Sequence, residues 1–253
     1  MSNYFLTTFN KKLYDEYAKD LIQSYLDTHQ YPPLYCYVEE DNILLYPQHP
    51  KIKYLNIFRE TPIAAFVKKY QRGDVDNYIM DAVRFAYKAY AQCGGRHLGN
   101  RQFFIDADCV FLKQIPLEWY DNFIGDRDFS YYPRPSYYTE TGFVTYNCKS
   151  KVVQKFFDKF QEVYDTGKIF DYKQQNDSYI FDRVMEMFPE ATAKFHGGGD
   201  AINDHEFHRH VMARCPILSP YVDHRKGGRK GMKRSPELLR WVLNLQGLGD
   251  MPI

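Results

Sequence analysis

The chain lacks several features that would have settled its class at once. No apolar run in its 253 residues approaches the ~20 that cross a bilayer, and residues 1–14 do not run from basic to apolar as a secretory leader does. Cysteine is sparse: Cys36, Cys93, Cys109, Cys148 and Cys215 are odd in number, widely spaced and without a C-x-x-C pair. That argues against a disulfide framework or a structural zinc site and makes reduced thiols the expectation. Net charge is almost absent, with 33 basic against 32 acidic side chains, so no global field holds the chain on nucleic acid or an anionic membrane. There are no internal repeats, no low-complexity tract and no evident interdomain linker. These absences predict a soluble, cytoplasmic protein with no membrane partner, folded as a single domain over residues 1–253.

Aromatics, by contrast, are abundant, with 23 Tyr and 19 Phe. Two readings stay open: rings that stack on sugars or bases, and a core and surface built largely from tyrosine.

The apolar pattern orders the first half. Residues 3–9 read as a strand and 12–28 as a helix (Leu13, Tyr17, Leu21, Tyr25). Pro32-Pro33 then breaks the chain before a second strand at 34–38. Strand–helix–strand opens a parallel α/β sheet. A helix is expected at 76–92, carrying Ile79, Val83, Ala86, Tyr87 and Tyr90 and stopped by Gly94-Gly95. Further on, 129–138 reads as a proline- and tyrosine-rich loop, 142–147 as a strand, and 151–164 and 176–188 as helices, the last ended by Pro189. Residues 196–234 are rich in Gly, His and basic side chains and show little periodicity.

Chemistry concentrates at 102–111, Gln-Phe-Phe-Ile-Asp-Ala-Asp-Cys-Val-Phe. Asp106 and Asp108 are spaced i, i+2, which in an extended strand points both carboxylates one way. Two anionic donors converging where a buried strand surfaces call for a cation. In an open α/β sheet the end of a strand is also where ligands bind. A solvated turn is the plainer account of a lone D-x-D.

A second cluster is His224-Arg225-Lys226-Gly227-Gly228-Arg229-Lys230. His224 could join the aspartates on a cation such as Mn2+ that accepts imidazole beside carboxylates. Gly227 and Gly228 would let backbone approach a diphosphate, and Lys230 with Arg225 or Arg229 would neutralise it. A basic loop holding some other anionic partner fits the same residues. Asp81 and Arg84, spaced i, i+3 upstream of the aspartates, read without further context as a surface salt bridge.

In order along the chain, Asp81-x-x-Arg84, Gly94-Gly95 and Phe104-Ile105-Asp106-Ala107-Asp108 resemble the S-D-x-x-R, G-G and D-x-D run of metal-dependent glycosyltransferases of the GT-A fold. His224-x-x-Gly227-x-x-Lys230 resembles the late H-x-x-G-x-x-K signature of the glycogenin and galactosyltransferase-like retaining branch. The likeness spans the first strand to about residue 231. Met80 stands where that pattern has serine, and Gly231-Met232 replaces its aromatic ending.

The resemblance implies a Rossmann-like, mixed and mostly parallel sheet flanked by helices. Residues 1–115 would be the nucleotide-binding half, and 116–253 the acceptor half with a C-terminal loop for metal and diphosphate. It implies transfer from a nucleotide-diphosphate sugar, a UDP-sugar by preference, with Mn2+ (or Mg2+) held by Asp106, Asp108 and His224. Gly227 and Lys230 would hold the diphosphate, Thr7, Thr8 and Phe9 would edge the nucleoside, and Asp81, Arg84 and Ala107 would border the donor. The stretch 139–144 would match the family's donor-sugar strand, and Gln175-Asn176-Asp177 its D-Q-D. Glu140 and Asp177 are the candidates to receive the acceptor's proton or to bind sugar hydroxyls. The acceptor stays open among glycan, protein, small molecule and nucleic acid, a hydroxylated base included.

Two other classes compete. Asp106-Ala107-Asp108-Cys109-Val110 also fits the D-x-D-x-[TV] of haloacid-dehalogenase-type Mg2+-dependent phosphatases, with Asp106 as nucleophile and Gly199-Asp200-x-x-x-Asp204 as a late metal motif. Against it, that nucleophile belongs on a first strand, and His224 is left without a role. A nucleic-acid-binding protein would use the basic stretch 225–234 with the loop 131–138 for stacking. His205, His208 and His210 miss by one residue the H-E-x-x-H spacing of a helical metal site.

Overall fold

Strands covered on both faces read as unbroken apolar runs, and β1 (Asn3–Phe9) is one. Its Tyr4 and Leu6 enter the core on one face of the sheet, while Phe5 and Phe9 enter a second core on the other. The computed structural model describes residues 2–70, 77–134, 137–196, 212, 215 and 217–225. After β1 come α1 (Lys11–Leu13), α2 (Lys19–Asp27), β2 (Leu34–Val38), β3 (Ile52–Asn56), α3 (Ile57–Glu60) and α4 (Ile63–Lys69). Next are α5 (Ala82–Gly95), β4 (Arg101–Ile105), β5 (Cys109–Phe111), α6 (Leu117–Ile124), β6 (Phe129–Tyr132) and β7 (Glu140–Asn147). The order closes with α7 (Lys151–Asp165), α8 (Asp177–Met185), β8 (Ala193–Phe195) and β9 (Val222–His224).

Among the described residues the main sheet has seven strands in the order β3-β2-β1-β4-β7-β6-β8. The first four are mutually parallel, β7 runs antiparallel to both β4 and β6, and β8 is parallel to β6. Helices α5, α7 and α8 cover one face and α2 and α6 the other. This is the mixed, mostly parallel α/β sheet in one domain that the sequence led us to expect. A separate ribbon pairs β5 with β9 antiparallel, setting Cys109 opposite His224.

Several local expectations are corrected. The segment expected as a loop at 129–138 opens with β6, whose four residues are all buried; Pro133, without an N–H, follows its last residue. The helix expected at 76–92 starts at Ala82, after a 3-10 turn over Tyr78–Met80. Gly94 and Gly95 lie inside it rather than beyond it. A Cβ on Gly94 would sit 2.7 Å from Thr61 Cγ2, and one on Gly95 2.5 Å from Leu6 Cδ2, so the glycines let α5 lie close on the sheet. The helix expected at 12–28 is broken by a π-helical stretch at Tyr14–Ala18.

The tyrosine surplus goes largely inward. Tyr4, Tyr25, Tyr37, Tyr90, Tyr120, Tyr132, Tyr146 and Tyr164 are all almost wholly buried. The Tyr4 hydroxyl donates to the Gly95 carbonyl at 2.6 Å and that of Tyr25 to Pro32 at 2.8 Å, satisfying groups the core would otherwise strand. All five cysteines are buried, unbridged thiols. No described helix is long and apolar enough to cross a membrane.

Candidate active site

The aspartate pair does not sit in an extended strand. β4 ends at Ile105, and Asp106 to Cys109 form a tight turn closed by the Cys109 N–H donating to the Asp106 carbonyl at 3.0 Å. Two neighbours pin that turn. The Asp106 N–H donates to the Gly142 carbonyl at 2.8 Å, and the Arg225 N–H donates to the Asp108 carbonyl at 2.9 Å. Convergence of the carboxylates therefore comes from a turn held by β7 and by the residue after β9, rather than from strand alternation.

His224 arrives through the β5–β9 ribbon from 116 residues away. Its Nε2 lies 2.9 Å from Asp108 Oδ1 and 3.7 Å from Asp106 Oδ2, and its Nδ1 lies 3.7 Å from Glu140 Oε1. The ring rests on Gly142, where a Cβ would stand 2.5 Å from Cε1 and 2.8 Å from Nδ1. Only a residue without a side chain leaves that cradle open to an imidazole. Donor atoms of Asp106, Glu140 and His224 lie within 4.8 Å of one another, as do those of Asp108, Cys109 and His224. Carboxylates around one imidazole are a donor chemistry that suits Mn2+, and the Gly142 cradle fixes the ring that completes it. These residues could hold a divalent metal.

The structure adds a residue that sequence reasoning missed. Lys88 on α5 reaches between two carboxylates, with Nζ 2.7 Å from Asp106 Oδ1 and 2.6 Å from Asp177 Oδ2, and donates to Thr141 Oγ1 at 3.3 Å. Arg84, expected to face the donor, places its guanidinium 4.6 Å from the ring centre of Tyr78, itself a residue of the pocket wall. Lys88 is four residues beyond Arg84, one turn along the same helix face, but no sequence signal marks it as the partner of two carboxylates. Asp81 caps α5 by accepting the Arg84 backbone N–H at 3.0 Å.

Asp177 enters through α8, whose first turn it occupies while Asn176 caps the helix by accepting the Tyr179 N–H at 2.9 Å. An anion there is favoured by the helix dipole. The Thr141 hydroxyl donates to Asp177 Oδ2 at 2.6 Å, and Glu140 Oε1 accepts the Gly142 N–H at 3.0 Å.

Burial pulls these groups in different directions. For Asp177, burial raises the pKa, but the Lys88 charge and the hydrogen bonds from Lys88 and Thr141 outweigh it and leave the carboxyl below its ordinary value. For Asp106, burial is offset only in part by Lys88 and His224, and the carboxyl is raised. Lys88 loses charge stability to burial but regains more from Asp106 and Asp177, so its ammonium persists. Burial, then the Asp177 charge, push the Tyr78 phenol up to about 12.

Tyr78, Lys88, Asp106, Asp108, Glu140, Thr141, Asn176, Asp177, Ser178 and His224 line a pocket of about 320 Å³. The structure thus gathers Asp106, Asp108, Glu140, Asp177 and His224 as one group. Thr7, Thr8 and Phe9 end β1; Thr7 and Phe9 are buried, and Phe9 packs against Tyr14 and Tyr46. Ala107 is buried in the turn itself. Arg225 ion-pairs with Asp20 at 2.9 Å, its guanidinium held against α2. Gly227 and Lys230 lie outside the described residues, as do Asp200, Asp204, His205, His208 and His210.

A parallel β3-β2-β1-β4 half-sheet, continued by antiparallel β7 with acidic side chains at the turn after β4, is the GT-A glycosyltransferase fold. The galactosyltransferase LgtC in complex with donor and acceptor sugar analogues is similar over 99% of this chain and 97% of its own, at 10% identity and a TM-score of 0.52. The bifunctional glycosyltransferase WbbM matches 90% of this chain at 14% identity and a TM-score of 0.53, and 46% of WbbM is covered. The glycosyltransferase GlyE of Streptococcus pneumoniae TIGR4 matches 99% of this chain and 61% of its own, at 10% identity and a TM-score of 0.50. At such identities the likeness is one of fold. No family model and no curated protein sequence matches the chain. The phosphatase reading gains no support: these similar folds are those of glycosyltransferases.

Proposed function

We propose that the protein is a glycosyltransferase that moves a sugar from a nucleotide-diphosphate donor, a UDP-sugar by preference, to an acceptor hydroxyl. The observation that carries this reading is the meeting of Asp106, Asp108 and His224 within 3.7 Å of a shared imidazole nitrogen, at the strand end where a GT-A sheet opens. A divalent cation there, Mn2+ for this donor set, would supply positive charge to the departing diphosphate. The chain's own groups then orient and stabilise. Residues 1–115, with Thr7, Thr8 and Phe9, bind the nucleoside; Asp81, Arg84 and Ala107 border the donor; Gly227 and Lys230 hold the diphosphate. Residues 116–253 receive the acceptor.

Held below its ordinary pKa by the Lys88 charge and by hydrogen bonds from Lys88 and Thr141, the Asp177 carboxylate is favoured in its ionised form. Fixed and ionised between Lys88 and Thr141, it suits an anionic role, facing positive charge that develops at the anomeric carbon. In the retaining reaction the bond from that carbon to phosphate oxygen breaks and a bond to the acceptor oxygen forms. The acceptor's proton passes to the departing phosphate oxygen, leaving Glu140 to hold His224 and a sugar hydroxyl. Five buried thiols accord with a reducing, cytoplasmic setting.

A thermal-shift panel of nucleoside diphosphates with and without Mn2+ tests the proposal. Stabilisation by a single nucleoside diphosphate, only when Mn2+ is present, is the expected result. No stabilisation by any of them would overturn it.

A further inference from the structure

Cys109 is fully buried, directly follows the aspartate pair and is the cross-strand partner of His224. Residues directly opposite on an antiparallel ribbon carry their side chains on the same face, with Cβ atoms about 5 Å apart. Asp108 completes a triangle, with Oδ1 2.9 Å from His224 Nε2, and one donor atom from each of the three residues falls within 4.8 Å of the others. These side chains therefore fall into two donor sets that share one imidazole, Cys109 lying behind the pocket wall. One, Asp106–Glu140–His224, has oxygens as its other ligands; the second includes a sulfur.

We infer that Asp108, Cys109 and His224 form an alternative, overlapping cation site, selective for a thiophilic divalent ion such as Zn2+, which excludes the hard cation because Asp108 and His224 would serve both. Three protein ligands of one oxygen, one sulfur and one nitrogen, with a fourth position open, match the tetrahedral preference of Zn2+. Soft thiolate favours such ions over Mn2+, and the affinity order of divalent metals favours Zn2+ at either set. On binding, the Cys109 Sγ–H bond is lost, its proton leaves to solvent, and a metal–sulfur bond forms. Zn2+ would then hold the protein in a state in which His224 cannot complete the hard site.

The test uses Cd2+, whose bond to thiolate gives an ultraviolet charge-transfer band. Titration of the full chain should raise that band to one equivalent and lose it in Cys109→Ser and Cys109→Ala. Cys36, Cys93, Cys148 and Cys215 remain in both variants as internal controls. His224→Ala should weaken Cd2+ binding by at least about tenfold, and Mn2+ should compete with Cd2+ in the unmutated protein. No band in the unmutated chain would overturn the inference. So would an undiminished band in a Cys109 variant whose circular dichroism matches the parent. The readout does not depend on sugar transfer: a Cys109-dependent band without nucleotide stabilisation keeps this site and removes the function proposed above.

Discussion

Lys88 Nζ lies 2.6 Å from Asp177 Oδ2, across the space between α5 and the start of α8, and the same ammonium touches Asp106 at 2.7 Å. One cation thus serves two carboxylates drawn from different parts of the chain. Replacing it removes the only charge within bonding distance that both share among the described residues. Lys88→Met should lower stability on the order of 3 kcal/mol, as breaking a buried ion pair does. The loss should shrink when Mn2+ is added, because Asp106 regains a counter-ion. Urea unfolding with and without the metal measures both effects, and an unchanged midpoint would refute this account of the pocket.

Gly142→Ala is expected to push His224 out of its cradle, since the new methyl carbon would overlap the ring at 2.5 Å. Cation affinity should fall by about ten- to a hundredfold, as for other residues that position a ligand, with far-ultraviolet circular dichroism preserved. Electron paramagnetic resonance of free Mn2+ reads the affinity directly.

Asp108→Asn keeps the shape of the turn but removes the charge 2.9 Å from His224. Mn2+-dependent hydrolysis of a nucleotide sugar should disappear while the melting temperature stays near that of the parent. Surviving activity would dismiss Asp108 as a ligand.

Much of the fold was legible. Strands 3–9 and 34–38 are bounded as their apolar runs and flanking breakers indicate, because burial on both faces leaves few other choices for such segments. The meeting of Asp106, Asp108 and His224 was legible too, through the order of the motifs that resemble a family pattern. Lys88 was not, because a single lysine in an amphipathic helix carries no mark of the carboxylates it will meet. Helix α5 was misjudged at both ends. Glycines that end helices by local conformation look the same in sequence as glycines that admit a close neighbour, and only Thr61 and Leu6 distinguish them here. β6 was hidden for a related reason: Pro133 and Pro135 suggested a loop, while strand pairing of Phe129 with Tyr146 and Ala193 decided otherwise.

His196 offers a pH test away from the pocket. Burial holds its pKa below the ordinary 6.5, only partly countered by its contact with the Phe123 carbonyl at 2.7 Å; the ring also stacks on Phe123. A depressed folded pKa means the unfolded chain takes up the proton first. Stability is therefore full above about pH 6.5 and is lost as pH falls from there toward the folded value, by roughly 1.4 kcal/mol per unit of separation. Melting temperatures followed from pH 7 downward should drop less steeply in His196→Gln than in the parent. Parallel slopes would remove His196 as the cause.

The β5–β9 ribbon is only three residues long on each side, and alternate side chains of a strand face opposite ways. Sliding β9 by one position would bring Asp223 opposite Cys109 and turn the imidazole away, exchanging a nitrogen donor for a third carboxylate. The donor set of the pocket is in this sense written into the alignment of two short strands. An insertion or deletion of a single residue between 217 and 222 should retune the ion the protein prefers while leaving the seven-stranded sheet as it is.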